Sequence, residues 1–260
     1  MANTAPPRPN QPSVPAPKPG PAQRPPKGAP RRLILPPPYS ADFLPEGEVF
    51  ERAVASAESG EAGAGDLLWT LRAGDGAQAG RLDFALVVEP EQAMSEARLG
   101  FVAGLVALAE AVAANGPPER RVAINFPAGL RFDTMRLGGM RLAHDPVAED
   151  ETPAWMVMGA ELCADRAHLA EPGDALGSTS LDEEGFDDPA AIVESFAAFF
   201  MLYLDRWKHQ GADALLALYT KRLAAHESHD PGDFAAGLGR ALADKSLAEG
   251  WRDPAGGPRI

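Results

Sequence analysis

The sequence has one cysteine in 260 residues, and no apolar run reaches the ~18–20 residues that a membrane-spanning helix needs. A single cysteine cannot form an internal disulfide, and it is too few for a zinc ribbon, a c-type haem or an iron–sulfur cluster. The N-terminus lacks the apolar core and small-residue cleavage site of a secretory signal. We therefore expect a cytoplasmic protein that does not enter a membrane.

Basic residues are outnumbered, 24 Lys+Arg against 37 Asp+Glu, and their distribution is uneven. Residues 1–32 hold six basic and no acidic residues, so the remainder carries a net charge of −19. A body that acidic repels phosphate backbones, which argues against binding of duplex nucleic acid. Only the basic residues 1–32 could favour binding to nucleic acid. A nucleic-acid-binding protein is therefore the least favoured of the functional hypotheses.

The N-terminal residues are rich in proline, with 14 of the 26 prolines in residues 1–38. Proline lacks the backbone N–H and restricts the preceding residue, so neither a helix nor a central strand is expected there. We predict a disordered, Pro-rich basic leader over residues 1–32 and a globular domain over residues 33–228. Residues 229–260 are predicted as a C-terminal helix followed by a frayed tail that contains two prolines and two glycines.

Hydrophobic periodicity predicts an α+β domain in which helices pack on one sheet. Strands follow one another without helical crossovers between residues 120 and 163, so the sheet is expected to be mixed and largely antiparallel. Helices are predicted over 46–58, 95–115, 189–208, 212–225 and 232–248; strands are predicted over 66–73, 81–89, 121–126, 130–133, 136–143 and 155–163.

Nucleophilic and metal-binding motifs are weak. Cys163 has acidic neighbours, which oppose a reactive thiolate, so a buried structural role is favoured. His226 and His229 have a spacing that could hold a metal, but no third ligand is evident, and surface histidines are the favoured interpretation. For His144 and Asp145 a loop is favoured over an acid–base dyad. No metal site is predicted, and the catalytic residues remain unknown.

A pair of glycines, Gly138-Gly139, interrupts a strand-like run. Glycine weakens a strand, and its physical use there is the close approach of a ligand or of another backbone. The segment 125–129 precedes it by a short hairpin. Together the two segments are expected to flank a small organic ligand.

Residues 125–143, NFPAGLRFDTMRLGGMRLA, resemble the K-W-P-N-D-[IL]-x(5)-[RK]-K-[LI]-[AG]-G-[IV]-L segment in the catalytic domain of biotin– and lipoate–protein ligases. Phe126 and Pro127 take the place of its Trp-Pro, and Arg136 to Gly139 that of its Lys-Leu-Ala-Gly. MVMGAEL at 156–162 resembles the family's V-I-G-[IA]-G-I-N strand, and the helices at 189–208 and 212–225 resemble its helical pair. The resemblance covers about residues 44–228. LILPPPYS at 33–40 is similar to the opening of an alphaproteobacterial subgroup of biotin/lipoate A/B ligase-like proteins.

The resemblance implies the mixed, largely antiparallel sheet that these ligases share with class II aminoacyl-tRNA synthetases. It also implies ATP and biotin, lipoate or octanoate as ligands, because family ligases form an acyl-adenylate and pass the acyl group to a lysine of a carrier domain. The sequence departs from this pattern. The lysine that opens the family segment is Asn125, the Asn-Asp pair is Ala128 and Gly129, and the family's G-R-G-R-x-G-R loop is GDGAQAGR at 74–81. Loss of that positive charge should cost several kcal/mol of transition-state binding.

Two hypotheses follow. The first is a non-catalytic relative that binds a small acid or a carrier domain, or serves as an accessory subunit of a complex. The second is a divergent ATP-dependent ligase in which arginines replace the family lysine, since arginine is an always-charged phosphate binder. In either case the candidate ligand-binding residues are Arg81, Asn125, Phe126, Pro127, Arg131, Arg136, Gly138 and Gly139.

Overall fold

A computed structural model describes residue 1 and residues 31–74, 79–169, 175–224, 237–238, 240–242, 245–248 and 250–260. Almost all of the predicted leader, the His226–His229 pair and about half of the helix predicted over 232–248 lie outside these residues. Arg31, at the end of the leader, pairs with Glu194 at 2.7 Å and with Asp188 at 2.9 Å.

Seven strands form one sheet in the order β1-β2-β3-β7-β6-β5-β4. Only β1 and β2 run parallel, and the other neighbouring pairs are antiparallel. This confirms the α+β class and the mixed, largely antiparallel sheet. The strand at the β1 edge was not predicted, because its four residues are too short to show alternation. The strands are β1 (Ser40–Phe43), β2 (Asp66–Arg72), β3 (Gly80–Val88), β4 (Val122–Asn125), β5 (Gly129–Phe132), β6 (Met135–His144) and β7 (Met156–Asp165).

One face of the sheet is covered by three helices, α3 (Leu99–Asn115), α4 (Ala190–Gln210) and α5 (Ala212–Arg222). The predicted helix over 95–115 is divided at Arg98 into a short α2 and a long α3, and α3 is buried along almost its whole length. The segment Met94–Asn115 is long and apolar enough to cross a membrane, yet most of it is buried in the protein, as expected of a core helix. The helices are α1 (Val49–Ser59), α2 (Met94–Ala97), α3 (Leu99–Asn115), α4 (Ala190–Gln210) and α5 (Ala212–Arg222).

The aromatic face of α4 enters this core, as its i, i+3, i+4 spacing predicts. Phe196 lies 4.8 Å from the ring of Phe84 in β3 and stacks on Phe200. The opposite face of the helix is partly apolar, since Met201 and Leu202 are exposed. Most of the aromatic stripe is therefore a packing surface against the sheet and α3.

The second face of the sheet is covered by α1 over only part of its area. Val49, Phe50 and Ala53 of α1 pack on Ala85 and Val87 of β3. Burial of these side chains holds α1 over the C-terminal end of β3, where the side chains on the second face are apolar. Towards the start of β3, the outward side chains are charged, and α1 does not cover them.

Candidate functional site

Strand alternation gathers charged side chains on the second face of the sheet. Leu82, Phe84 and Leu86 of β3 lie in the main core, so Arg81 and Asp83 lie on the opposite face. The register of β7 and β6 places further charged residues and a glycine beside them. We define the polar face by Arg72, Arg81, Asp83, Gly139, Arg141 and Glu161.

Asp83 lies between two arginines on the polar face. Its Oδ2 accepts a hydrogen bond from Arg72 Nη2 at 3.0 Å and lies 3.4 Å from Arg81 Nε. Arg81 also donates from Nη2 to Glu48 Oε1 at 2.8 Å. Asp83 and Arg81 are 3% and 9% exposed, so both charges are held in a region where water screens them weakly.

Burial controls the protonation of Asp83. It raises the pKa of this carboxyl to about 6, and the opposing effect of Arg81 does not reverse the shift. Asp83 Oδ1 and Thr70 Oγ1 are also buried without a hydrogen-bond partner in the described part of the chain. Because no hydrogen-bond donor stabilises a negative charge on Oδ1, the carboxyl of Asp83 keeps its proton to a higher pH than an exposed aspartate would, despite two neighbouring arginines.

Glu161 is the second buried acid, and it lies opposite Asp83 on one side and Gly139 on the other. Its Oε1 accepts from Arg141 Nη1 at 3.0 Å, and its Oε2 accepts from Arg252 Nε at 2.8 Å. Arg141 also reaches Glu51 at 2.8 Å. The polar face and its immediate partners thus pair four arginines with four carboxylates: Arg72, Arg81, Arg141 and Arg252 with Glu48, Glu51, Asp83 and Glu161.

Beside the polar face, the β4–β5–β6 hairpin carries arginines that are bonded differently. Arg131 donates from Nε to Asn125 Oδ1 at 2.7 Å and from Nη1 to the carbonyl of Thr134 at 2.9 Å. Arg136 donates from Nε to the carbonyl of Arg259 at 3.1 Å. Burial lowers the pKa of Arg136, and the nearby Arg131 and Arg259 lower it further. Among the described residues Arg131 and Arg136 form no ion pair, and we call these two arginines the hairpin's positive patch.

The two glycines of β6 serve two different close approaches. A Cβ at Gly138, where φ is +158°, would overlap the backbone carbonyl oxygen of Glu161 in β7. A Cβ at Gly139 would lie 2.5 Å from the indole ring of Trp251 and from the carbonyl oxygen of Ala128. The predicted close approach is therefore made by neighbouring backbone and by a tryptophan of the same chain.

Residues 250–260, which we call the C-terminal segment, lie across the polar face. Trp251 is 2% exposed, and its Nε1 donates to the carbonyl of Leu247 at 3.1 Å. The Arg81 side chain lies close against Gly257, and Arg252 binds Glu161 as described. The segment therefore differs from the frayed tail that its prolines and glycines predict, because its tryptophan and arginine have partners that only the folded sheet provides.

The structure brings most of the predicted ligand-binding residues to one region. Arg81 and Gly139 belong to the polar face, and Asn125, Arg131, Arg136 and Gly138 border it. Phe126 instead packs against the main core, and the carbonyl of Pro127 accepts a hydrogen bond from the Tyr219 hydroxyl at 2.7 Å. Whether these residues bind a ligand stays a prediction.

Sequence reasoning missed several residues of the region, namely Glu48, Arg72, Asp83, Glu161, Trp251 and Arg252. A usable signal existed for two of them. Asp83 and Glu161 are lone acids inside otherwise apolar strands, and a buried acid requires a partner or a proton. No comparable signal marks Trp251, because its neighbours in sequence are those of a loop.

The side chains considered for other chemistry lie elsewhere. Burial raises the pKa of the Cys163 thiol to about 12, which fits a structural residue. His144 Nδ1 contacts the carbonyl of Asp145 at 2.7 Å. Within the described ranges, no three His, Cys, Asp or Glu side chains are grouped as metal ligands would be.

Comparison with known proteins adds to this geometry. A family model described as the biotin/lipoate A/B protein ligase family matches residues 35–221. No curated protein matches the sequence. Among solved structures, a biotin protein ligase-like protein of unknown function from Silicibacter sp. TM1040 is 25% identical, with a TM-score of 0.64 over 74% of this chain and 80% of that one.

More distant similarity extends to named enzymes. The biotin protein ligase from Aquifex aeolicus is 15% identical, with a TM-score of 0.53 over 71% of this chain and 78% of that one. The biotin protein ligase from Leishmania major, solved in complex with biotin, is 14% identical, with a TM-score of 0.50 over 75% and 84%. At these identities the likeness shows a common fold.

Proposed function

Because this chain belongs to the biotin/lipoate A/B protein ligase family, we propose that it is a non-catalytic member that binds a small acid or a carrier domain, or serves as an accessory subunit of a complex. The observation that carries the proposal is the charge balance of the polar face. Arg81 and Arg141, which could have met an anionic ligand, are each paired with two carboxylates. A phosphate would have to compete with those carboxylates, so the face offers little electrostatic stabilisation to an acyl-adenylate.

The space above the face supports the same proposal. In the structure the indole of Trp251 fills the volume above Gly139, and Arg252 covers Glu161. A nucleotide and an acid bound there together would have to displace both side chains. A smaller ligand would not, because a cleft of about 430 Å³ remains beside α1.

That cleft has the composition of a site for an apolar acid. Phe50, Val54 and Trp155 supply apolar wall, and the polar part of the lining includes Glu58, Arg141 and Arg252, of which both arginines are paired with Glu161. Apolar walls with a few polar groups are typical of small-molecule sites. We propose that the apolar part of biotin, lipoate, octanoate or a related acid binds against these walls, or that the acyl group of a carrier domain enters the cleft.

The test is an acyl-transfer assay on the full chain with ATP–Mg, each of the three acids and a carrier domain, read by the mass of the carrier. We expect no mass increase, whereas an active biotin protein ligase included as positive control modifies the carrier. Thermal melting with each acid alone should show stabilisation, about 2.7 kcal/mol when the acid is present at 100 times its Kd. ATP-dependent mass addition by this chain would refute the proposal.

A second candidate function is favoured by the hairpin's positive patch. Arg131 and Arg136 make no ion pair among the described residues, so they are free to meet a carboxylate or phosphate. In this alternative the chain is an active ligase, and Arg136→Ala and Arg131→Ala abolish transfer. Arg120→Ala is the matched control, because Arg120 lies near the hairpin but is exposed and pairs with Asp133. Transfer that survives both hairpin substitutions would refute this alternative.

The organisation of the chain follows from the same proposal. We propose that residues 33–228 are the ligase-like domain, that residues 1–32 are a Pro-rich basic leader outside it, and that the protein works in the cytoplasm. A complex partner or a carrier domain would then meet the protein at the cleft or the hairpin. If a truncated chain lacking residues 1–30 co-purifies with the same partners as the full chain, a recruiting role for the leader is excluded.

A further inference from the structure

We infer that the polar face is a peptide-binding site, that it recognises an aromatic residue followed by an arginine, and that the C-terminal segment is its displaceable occupant within the chain. The inference rests on the proposed function only in using the same face of the sheet. Its ligand class is argued from the contacts that the segment makes.

The indole ring of Trp251 packs against glycine backbone of the sheet, and we call this position the ring seat. Gly129 in β5 and Gly139 in β6 are paired across the two strands, and Trp251 packs over both of them. A Cβ would lie 3.4 Å from the Cβ of Trp251 at Gly129, an ordinary contact, and 2.5 Å from its indole ring at Gly139. Only glycine at Gly139 leaves room for an indole at this depth, so the strand pair is shaped for a flat ring.

The arginine has a buried acid as its partner. Glu161 is 3% exposed, and Arg252 Nε donates to both of its carboxylate oxygens, at 3.0 and 2.8 Å. A charge-assisted hydrogen bond to a buried carboxylate is stronger than a neutral one, so this position favours a cationic residue, which in this chain is arginine. A third contact holds the end of the segment, where the carbonyl of Arg259 accepts from Arg136.

The segment is folded on itself, as a docked unit would be. Asp253 donates its N–H to the carbonyl of Gly257 at 2.8 Å, and Arg259 donates to the carbonyl of Trp251 at 2.7 Å. These hydrogen bonds close a small hairpin within 11 residues. The segment therefore forms backbone hydrogen bonds within itself and depends little on backbone hydrogen bonds to the sheet.

Departure of the segment leaves no unpaired buried charge. Glu161 keeps Arg141, and Arg81 keeps Glu48 and Asp83. A buried charge that lost its last partner would resist opening strongly, but here Glu161 and Arg81 each retain at least one. Glu161 and Arg81 therefore have ion-pair partners both when the segment is bound and when it has left. A second peptide of the same chemistry can thus replace the segment without leaving either charge unpaired.

The test uses a fluorescent peptide of residues 248–260 and the full chain carrying Trp251→Ala, which vacates the ring seat. We expect the peptide to bind this variant, with wild-type chain binding at least 10-fold more weakly because its own segment competes. Peptides carrying Trp251→Ala or Arg252→Glu should each lose at least 10-fold in affinity. Equal binding by the wild-type chain and the variant, or no loss with the altered peptides, would overturn the inference.

A measurement on the unaltered chain covers the case in which Trp251→Ala fails to fold. Hydrogen exchange of the wild-type protein should show the amides of Asp253 and Arg259 exchanging at least 10-fold faster than the ladder amides of β7. Equal protection would mean that the segment opens only when the whole domain unfolds, and the inference would fail. Neither experiment contains acid or ATP, so each outcome is independent of the acyl-transfer assay.

Discussion

Asp83→Asn should stabilise the folded protein at neutral pH although it removes two ion pairs. The pKa of Asp83 is raised to about 6 by burial, from an ordinary value of 3.8. A folded-state pKa above the unfolded value means that the folded protein holds the proton more tightly. Stability from this group is therefore fully present below about pH 3.8 and is lost as pH rises through about pH 6.

The size of the effect follows from the shift. About two pKa units correspond to about 3 kcal/mol between the fully protonated and fully ionised limits. About 1 kcal/mol of it falls between pH 5.5 and pH 8, a range that stays above the isoelectric point of about 4.8. Urea denaturation at these two pH values should show the wild-type free energy of unfolding falling as pH rises, relative to Asp83→Asn, which stays neutral.

The control is Asp150→Asn, because Asp150 is an exposed acid that lies outside the polar face. Its pH dependence should follow that of the wild-type protein. If Asp83→Asn is instead less stable than the wild-type protein by more than about 1 kcal/mol at pH 8, attraction by Arg72 and Arg81 outweighs burial, and the reasoning is wrong.

Three further predictions concern packing and reactivity. Gly138→Ala should destabilise the domain by about 3 kcal/mol or more, because its Cβ overlaps a carbonyl of β7; Gly177→Ala, with positive φ but open space, should lose only about 1 kcal/mol in the same denaturation assay. Cys163, whose pKa is raised to about 12, should resist a thiol reagent at pH 8 in the folded protein and react in denaturant; rapid labelling of the folded protein would contradict its burial. Tyr219→Phe should cost about 1 kcal/mol, because the hydroxyl donates to the carbonyl of Pro127, and a value near zero would mean that water replaces that bond.

The candidate site could be predicted only in part, and the residues themselves show why. Arg136, Gly138 and Gly139 were found because motif spacing and a glycine pair inside a strand are local signals. Asp83 and Glu161 are 78 positions apart in the sequence, and only the pairing of β3 with β7 makes them neighbours. Strand register determines which charged side chains become neighbours in the network, and the spacing of residues in the sequence does not reveal that register.

The sequence by itself determined the class of the fold, its long helices and the family of the chain. Apolar periodicity over α3 and α4 and near-continuous apolar runs in β3 and β7 are strong local patterns, since burial of those side chains dominates folding. Tertiary structure alone decided what the polar face carries. The C-terminal segment lies on that face through one indole ring and one arginine, whose partners, Gly139 and Glu161, come from strands about a hundred residues earlier. Contacts between distant residues depend on the whole sheet being formed, so no window of sequence contains them.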